Sequence, residues 1–305
     1  MYTLILSISC SVLVSVLLKV ARNQRIQVDQ AIAFNYVMAG SLCWLLLGPR
    51  PSALFESAAP WPLLLALGIL LPSVFLIMAK AVQYAGIVLS DVAQRLSLLL
   101  PLIAAFTVFG ETATPSKLLG IAVALCALFA LLWRRGNGND AEAEKPATGA
   151  TEPPTGGKGE VRAASRGTII VALLLGVWFG YGIIDILFKQ MAKVGSAFPT
   201  TLLGAFILAG AVSFIYLVAR GTAWTTRSVL AGLLLGLLNF GNIYFYVRAH
   251  QVYSENPTLV FSAMNIGVIS LGTLVGAGVF RERIHWVNAM GIGLAIVAIF
   301  ILFPR

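Results

Sequence analysis

Two groups of ionisable side chains stand out because the chain around them is so apolar. In SDVAQRLSLLLP (residues 90–101), Asp91 and Arg95 are four residues apart with Gln94 beside them. On a helix this spacing puts both charges on one face. Two kinds of chemistry suit that face. One is an internal ion pair packed against a neighbouring helix. The other is an Arg95 fork turned towards a carboxylate or phosphate, with Asp91 holding it and exchanging protons with it. The second group is Trp178, Tyr181, Asp185 and Lys189, spaced by three or four residues. An aromatic surface and an acid on one face suit an ammonium group, which makes the deeper Asp185 a candidate for the pathway.

Amides extend the set. Asn239, Asn242 and Tyr246 share a helical face interrupted by Gly241, and Ser262, Asn265 and Asn35 lie in other apolar stretches. An amide in such a helix needs a partner, so these residues face the interior of a bundle, as interhelical hydrogen bonds or as substrate contacts. Ser7, Ser11 and Ser15 form a stripe of small residues suited to close helix packing. Lys19 and Lys189 sit near helix ends, where their ammonium groups are expected to snorkel outwards. Glu111 and Glu282 are read as markers of helix ends, where solvation is cheap. Only His250 and His285 are available as histidines, and neither HExxH nor GxSxG occurs. No enzyme, metal site or cofactor is expected.

The elements that carry these residues follow from composition. The chain of 305 residues is 59% hydrophobic and 11% charged, against about 25% charged in soluble domains. Its mean hydropathy is +0.90. Apolar runs about 20 residues long recur throughout, the signature of membrane-spanning helices. They fall near 2–20, 29–47, 61–80, 86–109 and 115–133, then 167–190, 197–219, 227–250, 256–279 and 284–303, separated by Pro, Gly and charge. At the helical rise, Asp91 lies about 8 Å and Arg95 about 14 Å into the fourth run. The first run lacks a basic segment before it and reads as a retained span. The stretch 134–166, rich in Gly, Pro, Ala and charge, reads as a flexible linker, with a regulatory tail as the lesser alternative.

The +9 net charge is spread in short pieces between apolar runs, which fits membrane topology and not nucleic-acid binding. With loops assigned alternately, most Lys and Arg fall on the linker side, so the positive-inside rule would make the linker cytoplasmic. Cys10, Cys43 and Cys126 lie inside apolar runs and are expected to be buried packing residues.

The two sets of five runs match each other. GIAVALCALFALL (120–132) matches GIGLAIVAIFILF (291–303), and the same shift of 171 aligns VFGE at Glu111 with VFRE at Glu282 and Gln94 with Asn265. MAKAVQ (78–83) matches YVRAHQ (246–251), and LLK (17–19) matches LFK (187–189). An odd number of spans per repeat inverts the second, the architecture that recurs in secondary transporters. The chain is thus expected to be an all-α integral membrane protein of ten transmembrane helices in two inverted five-helix repeats (1–133 and 167–305) joined by the linker.

These residues resemble the drug/metabolite transporter superfamily, specifically its ten-span members with two EamA-type repeats. The resemblance covers all but the linker, and implies cytoplasmic termini, in contrast to the charge rule. LLK and LFK are similar to the end of the first helix of small multidrug resistance proteins. The glutamate that carries protons in those proteins, eight residues before the lysine, is replaced here by Ser11 and Tyr181, so a proton-coupled cationic drug pump of that kind is not expected. What the resemblance implies is a secondary active transporter in the cell (inner) membrane, working by alternating access on a small polar metabolite such as an amino acid or related zwitterion moved outwards. Protons and membrane lipid are its other partners, and it is a monomer or weak homodimer. The alternative is a flippase or carrier for a lipid-linked or amphiphilic substrate, which predicts a lateral opening beside Arg95.

Overall fold

Prolines and left-handed glycines set most of the corners. α1 (Tyr2–Asn23) is followed by α2 (Val28–Leu47), which ends at Gly48 with φ +55°. Pro60 and Pro62 start α3 (Trp61–Ala85), since a missing N–H costs nothing in a first turn, and Gly86 at φ +84° turns the chain into α4 (Ile87–Leu96). α5 (Leu99–Thr107) and α6 (Pro115–Leu132) complete the first half. The second half holds α7 (Gly157–Lys193), α8 (Phe198–Ala219), α9 (Thr226–Val252), α10 (Pro257–Phe280) and α11 (Trp286–Leu302). The computed structural model describes residues 2–24, 26–50, 52, 60–132, 157–280 and 286–303, and every regular element among them is helical. Most of the linker, together with Glu282 and His285, lies outside the described residues. α7 begins at Gly157, inside the stretch read as linker.

Apart from the early start of α7, the expected runs coincide with helices to within about five residues, with one further difference. The run 86–109 is not one helix but two, α4 and α5, broken at Ser97 and Leu98. Pro101 is the reason. It brings no N–H to the carbonyl of Ser97, which accepts from Leu100 N at 3.0 Å instead. That tightened turn takes Leu100 N away from Leu96, and the stranded Leu96 carbonyl accepts the indole N–H of Trp178 at 3.0 Å.

Among the described residues, eight helical segments, with α4 and α5 taken together, are long and apolar enough to cross a membrane. The apolar parts of α1 (Tyr2–Leu18) and α11 (Trp286–Leu302) are shorter. Large apolar side chains also cover the outside: Leu45 is 75% exposed, Phe300 71% and Ile215 68%. Water would penalise such a surface, whereas lipid accepts it. This is a multi-span membrane protein.

The halves interleave. α1 packs on α9 and α10, and α7 packs on α3, α4 and α5. α2 lies against α8 and α9, α3 against α8, and α6 against α11. Glycine allows close approaches here: a Cβ on Gly236 would stand 2.5 Å from the Asn35 carbonyl of α2, and one on Gly204 would run into the Leu64 side chain of α3. Between α2, α7, α8, α9 and α10 lies the core, with Tyr36, Met191, Leu202, Phe206 and Phe261 fully buried. The cysteines divide: Cys43 is buried and Cys10 half-buried, but Cys126 is exposed on α6, contrary to its expected burial, because α6 turns only one face to α11.

Candidate functional site

The break between α4 and α5 leaves Arg95 in the last turn of α4, where helix carbonyls favour a cation. Its Nε lies 3.5 Å from Asp91 Oδ1, and both side chains keep a little exposure, 15% and 17%. Arg95 Nε itself makes no hydrogen bond. That ion pair is one of the two arrangements the spacing suggests, and its Nε–Oδ1 distance is longer than that of a tight hydrogen-bonded pair. Gln94 sits half-buried beside it, its backbone carbonyl accepting from Ser97 Oγ at 2.6 Å.

α7 packs against this segment and brings the second group to it. Tyr181 is within electrostatic reach of Arg95, Asp91 and Asp185, so the two groups form one cluster. Asp185 Oδ1 accepts from the Tyr246 hydroxyl of α9 at 3.1 Å, and Asn265 of α10, whose Nδ2 donates to the Phe261 carbonyl at 3.2 Å, lies beside the same carboxylate. Among the described residues Asp185 has no cationic partner. Asp91 and Arg95 offset each other, so the cluster carries one uncompensated carboxylate. Trp178 faces the break and brackets it through Leu96, which makes it a support of the site more than a lining residue.

The remaining amides are engaged between helices. Asn239 Nδ2 donates to Asn35 Oδ1 at 3.1 Å, joining α9 to α2. Asn242 accepts from Ser7 Oγ at 2.9 Å through Oδ1 and 3.0 Å through its carbonyl, joining α9 to α1. Ser7 therefore has the packing role expected of the serine stripe. Ser15 turns outwards and bonds only the Ser11 carbonyl of its own helix.

Two expectations are overturned. Lys189 does not snorkel: it is 1% exposed, with Nζ donating to the carbonyls of Ser254 (2.7 Å) and His250 (3.4 Å). The corner between α9 and α10 folds over it, so a place near the end of α7 is not a place at the surface. Glu111 is likewise no exposed boundary marker. Its side chain is 1% exposed, Oε2 accepts from Thr258 N (2.9 Å) and Oγ1 (2.6 Å), and Oε1 lies 3.0 Å from Lys117 Nζ. Thr258 was missed, although Pro-Thr at positions 257–258 is a helix-start signal. Tyr36 was missed too; its buried hydroxyl has no partner among the described residues and lies in electrostatic reach of Tyr181.

A cavity of about 590 Å³ opens elsewhere, between α2 and α8. Tyr36, Gly40, Phe206 and Gly210 line it, and the exposed Trp44, Leu45 and Ile207 mark its outward-facing edge. It is apolar and open to the lipid side, and it does not lie beside Arg95. Among the described residues no three metal-binding side chains converge.

No protein-family profile matches the chain. An uncharacterized protein of Haemophilus influenzae is 50% identical over 308 residues, spanning 99% of this chain and 98% of that one. A solved crystal structure superposes with a TM-score of 0.69 over 98% of this chain and 96% of the other, at 14% identity, a likeness of fold alone.

Proposed function

We propose that this chain, which belongs to the same family as the Haemophilus influenzae protein, is a secondary transporter of a small zwitterionic metabolite in the cell membrane. The observation that carries the reading is the cluster of Arg95, Asp91, Tyr181, Asp185, Tyr246 and Asn265, charged groups of both signs gathered inside apolar helices. Ionisable groups at such depth cost about 2.5–3.5 kcal/mol each on insertion scales and mark pathways. A substrate carboxylate would engage Arg95 and its ammonium Asp185.

The architecture we read is ten spans in two inverted repeats of the drug/metabolite transporter type, with EamA-type halves at 1–133 and 167–305. Packing supports it. Gly120 meets Leu302 and Ile301, while Gly291 meets Leu131 and Ala130; shifting either set by 171 residues gives the other. Likewise α1 meets α9 as α7 meets α3, and α2 meets α9 as α8 meets α3. Such exchange between halves, around a midplane site beside a broken helix, is how alternating-access carriers are built.

The test is counterflow in liposomes holding the purified protein, with labelled amino acids of neutral, acidic and basic side chain. Uptake of a zwitterion that Asp185→Asn lowers about tenfold or more supports the reading. Unchanged uptake in Asp185→Asn removes that carboxylate from the pathway. A second reading, a carrier of amphiphiles, is favoured by the α2–α8 cavity facing lipid. It predicts that labelled amphiphiles move while free amino acids do not.

A further inference from the structure

Lys189 and Glu111 act on the same corner from opposite directions. Lys189 donates to carbonyls at the C-terminal end of α9, where the helix dipole is negative. Glu111 accepts from the first amide and hydroxyl of α10, where the dipole is positive. The two charges are also within electrostatic reach of each other. Lys117 pairs with Glu111, Lys193 lies over the Phe109 ring, and His250 sits fully buried between Tyr246 and Phe261. Outside this corner Ser254 and Glu255 are exposed, and inside it every residue from Pro257 to Met264 is buried.

One turn inwards the same two helices meet again. Asp185 and Lys189 are one turn apart on α7, as are Tyr246 and His250 on α9. The helices are thus joined by two rungs, Asp185 with Tyr246 in the centre and Lys189 with the His250 and Ser254 carbonyls at the end. The inner rung belongs to the candidate site.

We propose that Lys189 and Glu111 form a latch that closes one end of the helix bundle, and that the Asp185–Tyr246 rung couples this latch to the state of the central site. The coupling rests on the transport reading above; the latch does not. A buried lysine among apolar helices persists only while its donors are satisfied, so the corner has a well-defined closed arrangement and a costly half-open one. A ligand that takes over Asp185 frees the Tyr246 hydroxyl. That loosens the inner rung one turn from Lys189 and lowers the cost of parting α9 from α7.

Ser262 is 0% exposed, one turn inside Thr258, and Ser262→Cys is nearly isosteric. In a chain whose Cys10, Cys43 and Cys126 are replaced by Ala, a membrane-impermeant maleimide should label Ser262→Cys slowly. Lys189→Met and Glu111→Gln should each raise the labelling rate about tenfold or more, Lys189→Arg should raise it less, and Tyr246→Phe should raise it about threefold through the inner rung. If Lys189→Met does not fold, Glu111→Gln decides, because a glutamine still accepts from Thr258 while losing the charge. Labelling as slow as in the parent, in a folded Glu111→Gln or Lys189→Met, overturns the latch, and unchanged labelling in Tyr246→Phe overturns the coupling. Neither result depends on counterflow, so latch and transport can fail separately.

Discussion

The fourth apolar segment of each half occupies the same place in the chain, and the two have opposite characters. In the first half it is broken into α4 and α5, carries Asp91 and Arg95, and has Pro101 just past the break. In the second half α10 runs unbroken from Pro257 to Phe280. At the matched positions it has Ser262, Ile266 and Gly272, and Ile266 is 0% exposed. One segment holds charge at a helix end, and the other packs like an ordinary core helix. The lesson is that segments at equivalent places in the chain need not share their chemistry. A helix interrupted inside a bundle exposes carbonyls that welcome a cation, so the break and the arginine explain each other. α10 brings the neutral Asn265 to the same cluster.

The sharpest way to break this comparison is to make the fourth segments alike in charge. Arg95→Gln should leave a folded, inserted protein whose counterflow falls about a hundredfold, the usual scale for losing one partner of a buried charged contact. If Arg95→Gln fails to fold while the Asp91→Asn/Arg95→Gln double variant both folds and transports, the pair is structural only. α4 would then differ from α10 in packing and not in function.

Much of this fold is visible in the residues, for identifiable reasons. Apolar runs of spanning length, bounded by Pro and Gly, leave little freedom over where helices lie, and the helices fall where hydropathy expects them. Within the site, helical spacing alone groups Asp91 with Arg95 and Tyr181 with Asp185. Contacts between distant segments were not accessible. Asp185 and Tyr246 are 61 residues apart, and nothing local says that α7 and α9 touch. Lys189 and Glu111 were misread for the same reason: their partners, the His250 and Ser254 carbonyls for Lys189 and Thr258 with Lys117 for Glu111, belong to other helices and to the corner between them, which helical spacing around either residue does not reveal. Pro101 was visible, but a proline does not reveal which donor will rescue the carbonyl it strands.

A gentler change removes the cause of the break and keeps the charges. Pro101→Ala restores an N–H that can reach the Ser97 carbonyl, as an unbroken helix like α10 would require. Arg95 then leaves a helix end for a helix interior, and its fork turns relative to Tyr181 and Asp185. Counterflow should fall about tenfold, the scale at which small misplacements of a binding group are felt, while the unfolding midpoint in detergent stays close to that of the parent. Transport at the parent rate would show that the break does not set the position of Arg95.

The smallest effect concerns the bracket that stabilises the broken form. Trp178→Phe keeps an aromatic ring on α7 and deletes the N–H that reaches Leu96, together with part of the indole's contact surface. A neutral hydrogen bond of this kind is worth about 0.5–1.5 kcal/mol, and a membrane interior does not raise that much, because the alternatives also find partners. Trp178→Phe should therefore lower stability in detergent by about 1 kcal/mol in the parent and by much less in Pro101→Ala, where Leu96 recovers a helical partner. That non-additivity is the informative quantity, since residues acting on one carbonyl must couple. Equal losses in both backgrounds would mean that Trp178 stabilises α7 by packing alone, and that the first half keeps its broken helix without help from the second.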